Sequence, residues 1–396
     1  LMGKGFGIVV AVTIILLQLS ISWELDVTEV EALRAVKDSL TGSPFFSTWN
    51  FLNLNTCDSF TGVVCSATGH VSALSIGSGL SGTLSPSLGS LSGLTQLILN
   101  PGFISGVIPN ELGRLRDLRV LSLTHNRLTG PLPSSITTLP HLHTLDLSFN
   151  FLYGFIPPTL FTIPSLKILL LSSNSFSGQL PHSFPARCSI LHLDLSNNRL
   201  SGQLSSLFPS SLRYISVARN NMWGPLTAMR NVSEEDELEY VDLSMNSFSG
   251  SIPSSLLYHN RLSTLCLQRN RLIGEIPKGR PGGALRLIDL SHNSLVGDLP
   301  PELAGVETIY LNNNKLTGTV PAEYIKSVVM GTAKTISLQN NFLTRLPQVK
   351  LPNTWPDSAS LCLYNNCIPP YYLHRSACPQ SPIIHPRPFS QCKLLH

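Results

Sequence analysis

The side chains able to do chemistry are few and scattered. Asp146, Asp194, Asp242 and Asp289 recur at one position of a repeated phrase, read as "LDLSFN", "LDLSNN", "VDLSMN" and "IDLSHN". A column of carboxylates could bind calcium or serve acid catalysis. The simpler account is the polar row of a half-exposed strand, because each Asp lies between apolar neighbours. His374, His385 and His396 stand near Cys378 and Cys392, but in a Pro-rich tail and without ligand spacing. No C-x-x-C pair occurs, and neither G-x-S-x-G, H-E-x-x-H, a phosphate-binding loop nor a kinase signature is present. The glycines of "GKGFG" lie in the leader. These residues predict no enzyme, no cofactor and no metal.

The chain of 396 residues is too long for one ordinary core, yet it carries 42% hydrophobic and only 13% charged residues, so it is neither disordered nor strongly polar. The net charge of +4 is mild, and without a Lys/Arg run it excludes a nucleic-acid footprint. Residues 1–22 read as a secretory signal peptide: Lys4, an apolar run from Ile8 to Leu19, then Ser20-Ile21-Ser22 as cleavage site. No later apolar run is long enough for a membrane helix, so the expectation is a secreted chain without a transmembrane segment. Eight cysteines suit an oxidising compartment.

What positions everything else is a frame, L-x-x-L-x-L-x-x-N-x-L-x-G-x-[IVL]-P. Its glycines are Gly82, Gly106, Gly130, Gly154, Gly178, Gly202, Gly224, Gly250, Gly274, Gly297 and Gly318, and a twelfth unit has Arg345 there. The first five spacings are 24 residues; those that follow are 22, 26, 24, 23, 21 and 27. The alternating leucines predict a short strand with one buried face, and stacked copies predict a parallel sheet. Asn126, Asn150, Asn174, Asn198, Asn220, Asn246, Asn270, Asn293, Asn314 and Asn341 would be buried, and a buried amide needs partners, so they are expected to form a ladder bonding the backbone of adjacent turns. The fixed letters are therefore scaffold.

This frame resembles the plant-type leucine-rich repeats of receptor-like proteins, receptor-kinase ectodomains and polygalacturonase-inhibiting proteins, over roughly residues 28 to 367. The resemblance implies a curved right-handed solenoid with a concave parallel β-sheet, a short helical N-terminal cap and few regular helices. "TEVEALRAVKDSL" is expected to open on a Thr28–Glu31 capping box and to bury Val30, Leu33, Val36 and Leu40. "STWNFLNLNTCDSFTGVVC" is similar to that family's cap, with Phe60 where a second Trp is common, and implies a Cys57–Cys65 bridge. Cys362, Cys367, Cys378 and Cys392 would staple the rear cap in one of three pairings. Cys188 and Cys266 lie three repeats apart, roughly 14 Å at about 4.8 Å per strand, too far for a bridge. Both are read as free, Cys266 at an outward strand position. The division expected is 1–22 signal peptide, 23–69 cap, 70–360 array of about twelve repeats, and 361–396 rear cap and tail.

If the frame is scaffold, function lies in the letters that vary. Strand alternation aims Tyr214 and Tyr240 from equivalent positions of neighbouring repeats onto the concave face, with Tyr310 further along and Arg219, Met245 and Arg269 at the strand edge. Tyr and Arg are the residues most enriched at binding hot spots. Asn231-Val232-Ser233 is the one glycosylation sequon, beside the acidic run Glu234 to Glu237. The resemblance implies an extracellular recognition protein that binds a peptide, glycan or protein, in signalling or defence, in the apoplast or cell wall or at the outer face of the plasma membrane, beside a membrane receptor kinase. An inhibitor of microbial wall-degrading enzymes and a structural wall protein are the alternatives.

Overall fold

A computed structural model describes residues 25–52, 56–205, 208–231, 236–279, 284–348, 358–369, 378 and 387–392. The signal segment 1–22, the three tail histidines and residues 232–235 of the sequon and acidic run lie outside these.

The chain is a leucine-rich-repeat solenoid built on two sheets, not one. The long sheet has fourteen strands among the described residues. The first repeat contributes the six-residue strand Val71–Ile76, and each later repeat adds a three- or four-residue strand, parallel to the last and in matched register, as in Tyr214↔Tyr240 and Asp242↔Cys266. Two strands extend it beyond the array: Val63–Cys65 pairs antiparallel at the front, and Ser360–Cys362 pairs at the rear. The second sheet has twelve strands among the described residues: Leu40–Thr41 of the cap, paired antiparallel, and eleven formed by the x-L-x-G part of successive frames. The frame leucines of both sheets point inward and make one continuous core. After the proline, most repeats make a single 3-10 turn, such as Ser134–Thr138, and the longest helices are Val27–Ser39 and Ala322–Val329.

The second sheet goes beyond the single parallel sheet that the alternating leucines predict. The glycine of the frame was expected to make a tight turn; its φ is indeed positive, 87° at Gly130, but the residues before it are paired strand. A side chain there would press on Val107 of the preceding repeat, at 2.9 Å from an added Cβ. The glycine thus serves both the turn and the close approach of strands.

The asparagine ladder has a fixed pattern. Each Oδ1 accepts the N–H two residues past the ladder position of the preceding repeat, and each Nδ2 donates to the leucine or valine carbonyl of its own repeat and of that repeat. Asn150 shows it: Leu128 N at 3.0 Å, Leu123 O at 3.0 Å and Leu147 O at 3.1 Å. An eleventh member, Asn366, was missed although "LCLYNNCI" repeats the same spacing; it is fully buried and bonds Leu343, Leu338 and Leu363. Burial of the ladder is uneven. Asn126, Asn150, Asn220, Asn314 and Asn341 are buried, whereas Asn174, Asn198, Asn246, Asn270 and Asn293 are partly exposed.

The front cap corrects one expectation. Asp26, not Thr28, is the N-cap, its carboxylate accepting Thr28 N at 2.9 Å. Leu33, Val36 and Leu40 are buried, Val30 only in part, and the helix also buries Glu29. That carboxylate meets Val71 N at 3.0 Å and His70 Nδ1 at 3.2 Å, which ties the cap to the first repeat strand. Trp49 stacks on Phe60 at 5.1 Å, so phenylalanine fills the place of a second indole. Cys57 bridges Cys65, Cys362 bridges Cys378 and Cys367 bridges Cys392; Cys188 and Cys266 are free.

Candidate ligand-binding face

The face of the long sheet turned away from the core carries two rows of side chains, one from each outward position of the short strands. The first row holds His192, Tyr214, Tyr240, Thr264 and Leu287, in register across consecutive repeats. Parallel pairing puts neighbouring strands about 4.8 Å apart, so flat rings in one row must stack. Tyr214 and Tyr240 do so at 4.2 Å and 7° from parallel, and His192 lies on Tyr214 at 3.9 Å. His192 was not singled out from sequence, although its position two residues before Asp194 was the available signal.

The second row holds Asp194, Ser216, Asp242, Cys266, Asp289 and Tyr310. Tyr310 therefore does not continue the tyrosine stack; it stands beside Asp289, one row over. Each Asp accepts the N–H two residues on: Ser196 at 2.9 Å, Ser244 at 3.0 Å and Ser291 at 2.9 Å. That short side-chain turn explains why Asp recurs in the frame. Burial pushes the carboxyls of Asp242 and Asp289 above the usual range, aided by their negative neighbours. Burial also pushes the Cys266 thiol up to about 12, with Asp242 and Asp289 adding to the effect.

Arg219, Met245 and Arg269 are exposed at the strand edge and belong to a column with left-handed backbone, φ 54°, 54° and 56°. The column runs from His125 to Asn365, all non-glycine. Its side chains touch along the solenoid: His125 stacks on Phe149 at 4.2 Å, and Asn340 Nδ2 donates to Asn313 Oδ1 at 2.9 Å. At the other edge, Arg213 and Arg261 share Glu237, at 3.2 Å and 2.5 Å. Those charges are paired with each other, whereas Asp194, Asp242 and Asp289 enter no ion pair among the described residues.

Asn231 ends a 3-10 turn, Leu226–Asn231. Among the described residues no group of three or more His, Cys, Asp or Glu is placed to hold a metal ion, and no helix is long and apolar enough to cross a membrane.

Comparison with known proteins agrees with this architecture. The leucine rich repeat N-terminal domain model matches residues 27–66, and leucine rich repeat models match 116–176, 189–210, 237–258 and 284–306. The chain is 31% identical over 162 residues to Receptor-like protein 18 of Arabidopsis thaliana, covering 40% of this chain and 19% of that protein. It thus spans about a fifth of the length of the curated relative it matches. Among solved structures, PEPR1–AtPEP1 is similar with a TM-score of 0.66 at 26% identity, covering 89% of this chain and 57% of that one. The ectodomain of the Arabidopsis thaliana membrane receptor kinase GASSHO1/SCHENGEN3, in complex with CASPARIAN STRIP INTEGRITY FACTOR 2, gives 0.66 at 26% identity, covering 86% and 47%.

Proposed function

Because the chain is a plant leucine-rich-repeat protein with an N-terminal cap, related to receptor-like proteins and receptor-kinase ectodomains, we propose that it is a non-catalytic recognition protein holding an extended peptide over repeats six to nine of its long sheet. The observation that carries this reading is the stack of His192, Tyr214 and Tyr240 on a solvent-facing row. Stacked rings offer broad apolar area that is already ordered, so little entropy is lost when a ligand covers them. The same rows add carboxylates and, at the edge, exposed arginines, which give an extended ligand directional partners. The three disulfides suit an extracellular setting, the apoplast or the outer face of the plasma membrane, where a receptor kinase would transmit the signal. Two structural relatives have bound partners in their recorded complexes, which supports a ligand role for this fold.

A photoreactive benzophenone side chain in place of Met245 tests the reading. Irradiation with plant extracellular fluid should attach a peptide at position 245 and none when the same group replaces Tyr153 on the second sheet. Equal attachment at both positions, or at neither, would overturn it.

A further inference from the structure

Repeat nine leaves a notch in the two rows. Tyr240 is covered on one side by Tyr214, but its partner on the other side is Thr264, which is too small to cover the second ring face. In the adjacent row Cys266 sits between Asp242 and Asp289, again a small side chain between larger ones. Two strand steps separate the two carboxylates, about 10 Å between backbones. Tyr310 closes the far side next to Asp289. Beside Cys266 on the same face, Gln268 carries an amide oxygen shielded from water and without a donor among the described residues.

We propose that this notch, bounded by the free face of Tyr240, by Asp242 and Asp289, and floored by Cys266, seats the guanidinium of an arginine side chain in the bound peptide. The inference rests on the peptide-binding reading above and names the chemistry that recognises the ligand. Two half-buried carboxylates with no ion-pair partner among the described residues, across a small neutral floor, make an unfavourable arrangement that a positive group relieves. Burial raises both carboxyls, and like charge adds to it, from Asp194 on Asp242 and from Asp242 on Asp289. A planar cation laid on the tyrosine face gains the attraction of the ring, and guanidinium has five N–H donors in a fixed plane to share between two carboxylates and an amide oxygen. An ammonium has the charge without the plane. An anion would meet both carboxylates at once and is excluded. The edge arginines do not fill the notch: Arg269 is exposed, and Arg219, in the repeat before Asp242, attracts that carboxylate from the strand edge without forming an ion pair with it.

The test uses a capped glycyl-arginyl-glycine tripeptide, its lysine form and its neutral citrulline form, titrated calorimetrically into the whole chain. The arginine form should bind at one site per chain, the lysine form more weakly, and the citrulline form about tenfold or more weakly, the usual scale for losing a charged hydrogen bond. Asp242→Asn and Asp289→Asn should each weaken the arginine form to a similar degree. They should not lower the unfolding temperature, since each removes a charge from a crowded negative row. Cys266→Lys, which plants a cation in the notch, should abolish binding. Equal binding of arginine and citrulline forms overturns the proposal, as does indifference to both Asp changes. If Tyr240→Ala weakens binding while the Asp changes do not, the sheet face binds ligand but the cation seat is wrong. If neither matters, the peptide-binding reading falls with it.

Discussion

Asn198 Oδ1 accepts the backbone N–H of Phe176 at 2.9 Å, and its Nδ2 donates to Leu171 O at 2.9 Å, both in the preceding repeat. The same amide group closes on Leu195 O of its own repeat at 3.1 Å. One side chain therefore supplies the hydrogen bonds that the backbone cannot make where the chain leaves the strand. Asn198→Leu keeps the size but leaves these groups without partners, and should cost about 1–3 kcal/mol of unfolding free energy. Chemical denaturation measures it; a variant as stable as the parent would contradict the ladder.

Ser173 and Ser175 are neighbours on the surface with opposite backbone demands. Ser173 belongs to the left-handed column, φ 55°, while Ser175 opens a strand of the second sheet. A β-branched side chain is strained in the first conformation and favoured in the second. Ser173→Val should lose about 1–2 kcal/mol. Ser175→Val should stay within about 0.5 kcal/mol of the parent. Equal effects on thermal unfolding would mean the column is not fixed left-handed.

The two free cysteines should stay reduced and unreactive in the folded protein. Cys188 is buried with its thiol pushed up by burial, and Cys266 is pushed up to about 12 by burial and by Asp242 and Asp289. The thiolate is the reactive form, so little of it exists near neutral pH. Alkylation without reductant should label neither in the native state and both after denaturation. Rapid native labelling of Cys266 would show that its carboxylate neighbours do not act as described.

Much of this was legible because a repeat turns spacing into geometry. The Tyr214–Tyr240 contact follows from one frame position counted in two neighbouring repeats, and the separation of Cys188 from Cys266 follows from counting strands. The misses have physical causes. The second sheet hid because the N-x-L-x-G segment is only four or five residues long, with a glycine that reads as a turn. The left-handed column hid because its members, among them His125, Met245 and Asn365, share no residue type; the backbone demand there is met by neighbours, not by side-chain preference. The Thr28–Glu31 spacing imitates a capping box, but Asp26, two residues earlier, holds the role because its carboxylate accepts Thr28 N.

The pH dependence of stability should carry a sign set by His192. Burial against Tyr214 lowers its pKa, with Asp194 opposing more weakly. Below the unfolded value, roughly 6.5, the unfolded chain takes up a proton that the folded chain refuses, so stability falls as pH drops through that window. His292 shifts in the same direction, while the raised carboxyls of Asp242 and Asp289 favour the folded state on further acidification, nearer the carboxylate range. His192→Gln should flatten the loss just below about pH 6.5. Unfolding temperatures measured across that range in wild type and variant decide it; parallel curves would contradict the burial of the ring.

The central claim is that ligand binds on the stacked rings of the long sheet, and the most direct measurement is the affinity of the peptide recovered at position 245 for two paired variants. Tyr214→Ala with Tyr240→Ala removes rings from the proposed face; Phe151→Ala with Tyr153→Ala removes exposed rings from the second sheet. The first pair should weaken binding by about 2 kcal/mol or more, roughly 30-fold, with the unfolding temperature little changed. The second pair should leave affinity at the wild-type value. Loss of binding in the second pair and not in the first would contradict the account and move the recognition surface to the other sheet.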